Sequence, residues 1–192
     1  KPSAESEVFE LCQSGKQRRK NELFRRAEDI TTKPVRLYEA GNGTQNSNEP
    51  KTDTMIKKEL LLGDEAIAWG ALNAGLSGVY AYPGTPSTEI TVFIQMHPLT
   101  RERGIHCNWS ANEKTALEAA LGMSFVGKRA LVCMKHVGMN VCADAFVNSA
   151  MTGANGGLVV VAADDPSMHS SQNEQDSRFY AKFAMIPCFE PA

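Results

Sequence analysis

The run Gly157-Leu-Val-Val-Val-Ala-Ala163 is apolar throughout and dense in β-branched residues. A strand with one wet face alternates apolar and polar side chains. An unbroken apolar run belongs instead to a strand covered on both faces, as in a parallel sheet. Arg129–Met134 (RALVCM) and Val79-Tyr80-Ala81-Tyr82 read the same way, and a further strand is expected around Ile105–Trp109. Segments of helical spacing lie between these runs. Asp64 is expected to cap a helix through about Ala74, closed by Gly75. A second helix is expected from about Ser87 to Met96. Ser110 opens a third, in which Leu117, Ala120, Leu121 and Ser124 fall at i, i+3, i+4 and i+7, and a fourth lies near Met139–Met151. Strands alternating with helices predict an α/β fold with a doubly wound, mostly parallel sheet. Such sheets gather their ligand-binding groups at the carboxyl ends of the strands.

Residues 1–57 are of another kind. They are polar, carry both charge signs, and end in Gly41-Asn42-Gly43-Thr44-Gln45-Asn46-Ser47-Asn48-Glu49-Pro50, which reads as flexible linker. An amphipathic helix is expected between Glu7 and Asp29, and the basic run Lys16–Lys20 is read as part of a solvated charged face, since acidic residues nearly balance it. Met55-Ile56-Lys57-Lys58 resembles a translation start. Residues 1–54 are therefore read as a leader, an upstream extension or a gene-model artefact, and 58–192 as the folded domain.

The 192-residue chain has a formal net charge of −2, which argues against a nucleic-acid surface. It contains no apolar run of about 18 residues that would span a membrane. Cys12, Cys107, Cys133, Cys142 and Cys188 are scattered without C-x-x-C spacing. They read as reduced thiols of a cytoplasmic protein, and no iron–sulfur cluster pattern is present.

Four polar clusters fall at the expected strand ends: Tyr82-Pro-Gly-Thr-Pro-Ser87, Trp109-Ser-Ala-Asn-Glu113, Lys135-His-Val-Gly138, and the stretch from Asp164 to Asp176. The spacing of Ser110 and Glu113 is that of an S-x-x-E capping box, so Glu113 is open to both a capping and a chemical role. The prolines and glycine of the first cluster fix a turn that can aim the Thr85 hydroxyl, or simply join strand to helix with Thr85 or Ser87 as cap. Lys135 and His136 end a strand where a Gly-containing turn is expected. His169, Gln172 and Asn173 lie in a loop dense in donors and acceptors, suited to a ligand or a subunit contact. A metal site at Asp164, Asp165 and His169 is the weaker reading, because adjacent carboxylates are usually solvated or capping; no metal ligand is assigned.

The YPGTPS loop, the helix-opening ExxALxxALG pattern, MKHVGMNVCAD and VVVAADDPSMHSSQNEQDSRFYA occur in the order found in the pyrimidine-binding, N-terminal domain of the 2-oxoacid:ferredoxin oxidoreductase family. The last two resemble its indolepyruvate branch, in the alpha subunit, more than its pyruvate branch. The resemblance implies a thiamine-diphosphate enzyme that oxidatively decarboxylates an aryl pyruvate to an acyl-CoA. It implies that Glu113 bonds to N1′ of the cofactor's aminopyrimidine and favours the imino tautomer, whose nitrogen takes the C2 proton. It sets Pro83, Thr85, Glu113 and His136 at the cofactor, and Thr85, Lys135, His169, Gln172 and Asn173 towards the substrate.

One departure concerns substrate binding. Pyruvate-type relatives carry an arginine after the equivalent strand, where this chain has Ala162-Ala163-Asp164-Asp165. The substrate carboxylate must then meet Lys135, His136 or a residue of another chain.

The GDG…N motif that holds diphosphate through Mg²⁺ does not occur here. That diphosphate-binding domain, with 4Fe-4S clusters, is expected further along the full-length polypeptide. The remaining expected partners are a beta subunit, ferredoxin and CoA. The chain is accordingly read as a fragment, inactive alone. The competing readings are a non-oxidative thiamine-diphosphate decarboxylase or synthase, and a non-catalytic α/β binding module of flavodoxin or receiver type.

Overall fold

The structure, a computed structural model, describes residues 60–190. The extension, its expected helix and linker, and the boundary at 57 lie outside the described residues. Four strands are present: β1 (Gly78–Ala81), β2 (His106–Trp109), β3 (Ala130–Lys135) and β4 (Leu158–Ala163). They form one sheet in the order β2-β1-β3-β4, and every neighbouring pair is parallel. The helices are α1 (Gly63–Asn73), α2 (Thr88–Met96), α3 (Pro98–Glu102), α4 (Glu113–Phe125), α5 (His136–Thr152) and α6 (Arg178–Ala184), with a 3₁₀ turn at Pro166–Met168.

Helices cover both faces, so the two side-chain sets of β1 and β3 enter different cores. Val79 and Ala81 of β1 and Leu131 and Cys133 of β3 pack with Ala68 and Leu72 of α1 and Ile90 and Ile94 of α2. The alternate residues, Tyr80, Ala130, Val132 and Met134, pack with Ala116, Leu117 and Ala120 of α4 and Met139, Cys142, Ala145 and Phe146 of α5. The expected doubly wound α/β fold is thus present. Among the described residues no helix is long and apolar enough to cross a membrane.

Three local expectations need correction. Ser110 does not open α4: its N–H donates to the Ala81 carbonyl at 2.8 Å, which keeps it in register with the end of the sheet. The cap is Asn112, whose side chain accepts from the Thr115 N–H at 2.9 Å, while the Thr115 hydroxyl oxygen accepts from the Asn112 N–H at 3.3 Å. At α1 it is Glu65, not Asp64, that reaches back, accepting from the Leu62 N–H at 3.0 Å. Finally, no turn separates β3 from α5. The strand ends at Lys135 and the helix starts at His136, which sets Gly138 inside its first turn.

Candidate active site at the carboxyl edge of the sheet

β1 lies between β2 and β3, so the chain leaves β1 towards β2 on one side and leaves β3 towards β4 on the other. This is a topological switch point, the place where sheets of this kind usually take their ligands. The loop after β1 and the start of α5 meet there: a Cβ built on Gly84 would stand 3.3 Å from the Cβ of Lys135. The loop is braced at its base. The Gly84 N–H donates to the Thr88 hydroxyl oxygen at 2.9 Å, and the Ser87 hydroxyl donates to the Gly84 carbonyl at 2.9 Å. Pro83 and Thr85 remain exposed, and the Thr85–Pro86 peptide bond is cis.

Glu113 is the first residue of α4, and α4 packs against α5. Although charged, it is only 8% exposed. Since Asn112 and Thr115 satisfy the cap between them, the Glu113 carboxylate is released from that duty. It makes no hydrogen bond to any described residue. Its Cγ, Cδ and Oε1 crowd Gly138 in the first turn of α5, where the positive end of the helix dipole favours a carboxylate. Cys142, one turn further along α5, has its thiol pushed up to about 12, first by burial and then by the charge of Glu113.

His136, the first residue of α5, is fully buried. Its Nε2 lies 2.9 Å from the Asn173 carbonyl oxygen and 3.2 Å from Asn173 Oδ1. Both neighbours are oxygens, so Nε2 carries the proton, and Nδ1 is buried without a partner among the described residues. Lys135, 9% exposed, donates from Nζ to the carbonyl of Ser170.

The loop between β4 and α6 is therefore tied to the end of β3 and the start of α5. Gln175 strengthens the tie, donating to the His136 carbonyl at 2.7 Å and accepting from Asn140 at 3.0 Å. Tyr180 of α6 donates to Asn140 at 2.5 Å.

The acidic pair Asp164-Asp165 is occupied within the loop. Asp164 accepts from the N–H and hydroxyl of Ser177 at 3.1 and 2.5 Å. Asp165 accepts from the Ser171 hydroxyl at 2.5 Å and the Ser170 and His169 N–H groups at 2.9 and 3.2 Å. These bonds, the Ser171 hydroxyl first and with a contribution from the Lys135 charge, hold the Asp165 carboxyl below its ordinary value. Among the described residues no three His, Cys, Asp or Glu side chains gather as metal ligands.

The singled-out residues thus divide by geometry. Glu113, Lys135, His136 and Asn173 converge at one edge, with Pro83 and Thr85 on the adjoining loop. The side chains of His169 and Gln172 are exposed and make no hydrogen bond to a described residue. Sequence reading had missed Asn140, Gln175 and Tyr180, since residues separated by 35–40 positions leave no local pattern. It had also taken Gly138 for a turn glycine. The signal available for Gly138 was that α5's register could extend back to His136.

No family model matches the chain. Over 147 residues it is 52% identical to the indolepyruvate oxidoreductase subunit IorA of Archaeoglobus fulgidus, covering 76% of this chain and 24% of that subunit. Over 136 residues it is 52% identical to the IorA of Thermococcus kodakarensis and 53% identical to that of Pyrococcus horikoshii, covering 71% of this chain and 21% of each subunit. The chain thus spans about a fifth to a quarter of the length of these relatives. A solved structure of the 2-oxoglutarate:ferredoxin oxidoreductase from Magnetococcus marinus, with 2-oxoglutarate, coenzyme A and succinyl-CoA bound, aligns with a TM-score of 0.49. Its sequence identity is 25%, over 56% of this chain and 18% of that one.

Proposed function

We propose, proceeding from the homology of this chain to one segment of the IorA subunits of indolepyruvate oxidoreductase, that residues 58–192 are the pyrimidine-binding part of a thiamine-diphosphate-dependent aryl-pyruvate:ferredoxin oxidoreductase. The observation that carries the reading is Glu113: a largely buried residue whose carboxylate sits at the amino end of α5 without a hydrogen-bond partner among the described residues. A buried carboxylate left open in this way can serve a ring nitrogen that enters the crevice.

When bound, thiamine diphosphate supplies a carbon nucleophile that attacks the keto carbon of a 2-oxoacid. Glu113 holds a proton against N1′ of the aminopyrimidine and exchanges it there. Pro83 and Thr85 line the crevice from the β1 side, and the Thr85 hydroxyl supports either cofactor or substrate. His136, its Nδ1 without a partner among the described residues, would be available to the cofactor. Lys135 and Asn173 are already bonded within the chain, so they act as a wall that shapes the substrate end. His169 and Gln172, exposed on the loop after β4, would be free to meet the substrate.

The diphosphate, its Mg²⁺ and the 4Fe-4S clusters are assigned to polypeptide beyond this segment, and electron transfer to ferredoxin and acyl transfer to CoA to the assembled enzyme with its beta subunit. Alone, the chain is expected to bind thiamine diphosphate weakly, and titration calorimetry with Mg²⁺ measures this. In the assembled oxidoreductase, Glu113→Gln keeps size and packing but cannot trade a proton. Turnover should drop by about 10²–10⁴-fold, the usual worth of a positioned acid–base group. Near-normal turnover would overturn the assignment.

A further inference from the structure

Gly138 is the third residue of α5, a position where alanine is the better helix former. Its backbone is helical, with no positive φ to demand glycine. The requirement comes from the neighbouring helix. A Cβ at this position would lie 2.5 Å from Glu113 Cγ, 2.8 Å from Oε1 and 2.9 Å from Cδ, well inside the ~3.5–4.0 Å at which carbon atoms rest.

We propose that Gly138 is a positioning residue: the side chain it lacks is the seat in which the Glu113 carboxyl rests. The backbone of Glu113 has little room to give. It is held at the start of α4 by the Asn112–Thr115 cap, and the pairing of α4 with α5 is fixed by buried Ala116, Ala120, Met139 and Cys142. On the exposed flank, Lys114 bonds to Asp144 at 2.9 Å. Any side chain at 138 must turn the glutamate off the amino end of α5 or part the two helices.

The catalytic consequence rests on the reading of Glu113 given above; the contact itself does not. The test is a double-mutant cycle in the full chain, followed by kinetics in the assembled oxidoreductase. Gly138→Ala should lower the urea midpoint when Glu113 is present. In a Glu113→Ala background the clash is gone and helix propensity alone remains, so the same substitution should leave the midpoint unchanged or raise it. In the assembled enzyme, Gly138→Ala should reduce kcat about 100-fold, the scale of a 1 Å misplacement, with the KM for the 2-oxoacid unchanged.

A midpoint that falls equally in both backgrounds, or does not fall in either, would overturn the proposed contact. Full turnover of Gly138→Ala would overturn the positioning role. If the cycle shows coupling while Glu113→Ala retains full turnover, the contact stands, and the assignment of Glu113, with the positioning role that depends on it, is what has failed.

Discussion

His136 Nε2 is bonded to Asn173 twice over, to the backbone oxygen at 2.9 Å and to Oδ1 at 3.2 Å, across 37 residues of sequence. This bond and that of Lys135 to Ser170 fasten the loop after β4 onto the start of α5. The site edge is therefore built by two strand ends that are neighbours in the sheet, β3 and β4.

Gln175 carries part of the same fastening. Gln175→Ala removes the bond to the His136 carbonyl and the link to Asn140. The expected loss is about 1 kcal/mol, the net worth of a hydrogen bond. Hydrogen exchange should quicken over 169–176 and stay unchanged in β1 and β3. Chemical denaturation and exchange mass spectrometry measure the two effects. Uniform quickening across the domain would show that Gln175 acts on global stability instead.

Acid should release the same loop late. The Asp165 carboxyl is held low by the Ser171 hydroxyl, then by the Ser170 N–H. Its folded value lies below the unfolded value near ~3.9, so the stability it contributes is complete above that pH. It is lost as pH falls through the folded value. Ser171→Ala should move the Asp165 titration, followed by carboxyl NMR, upward towards the ordinary value. An unmoved titration would exclude the Ser171 bond as its main cause.

The cysteines should separate by burial. Cys133 and Cys142 are pushed up to about 12, each first by burial, and Cys107 is raised by burial as well. Cys188 is exposed. A thiol reagent at mildly alkaline pH should label Cys188 first among these four, Cys107 slowly, and Cys133 and Cys142 only on unfolding. The unfolded thiols ionise near ~8.5 while the buried pair stay protonated. Stability should therefore decline as pH rises from there towards about 12. Rapid native labelling of Cys142 would contradict its burial.

Two glycines offer opposite outcomes for one substitution. A Cβ at Gly156 would come within 2.1 Å of the Lys128 carbonyl oxygen and 2.7 Å of the Gly127 carbonyl carbon, both backbone. Gly156→Ala should cost about 2–3 kcal/mol. Gly70, inside α1, has nothing within 4 Å of that position. Gly70→Ala should stabilise by about 0.5–1 kcal/mol. Thermal or urea unfolding of the two variants reads both signs.

Much of this fold is written locally. The apolar runs LVVVAA and RALVCM read as strands covered on both faces, and the structure pairs them in parallel register as β4 and β3. β3 is buried throughout, whereas β4, at the sheet edge, is only half-buried and leaves Val159 exposed. Glu113 was legible as a residue at a helix start, but its spacing fitted a cap as well as a chemical role, and only the family resemblance set it apart. Where the reading went astray, a distant partner had intervened. Ser110 was predicted to cap α4 but is tied to Ala81, a residue 29 positions earlier. Pro98–Glu102 forms a short helix capped by the His97 imidazole, which accepts from the Leu99 N–H at 3.2 Å. Histidine is not among the usual capping residues, so this start carries no recognisable signal.

The sequence alone determined the alternation of elements, because hydrophobic periodicity acts between residues a few positions apart. It also put the polar clusters at the strand ends. Only the tertiary structure decided which of those groups would be committed and which left open. Lys135, Asp164, Asp165 and Asn173 are bound within the chain, whereas the Glu113 side chain rests against Gly138 and makes no hydrogen bond to a described residue. That distinction depends on the order of the strands and on how closely α4 approaches α5. Both are properties of packing between segments distant in sequence, to which local periodicity is blind.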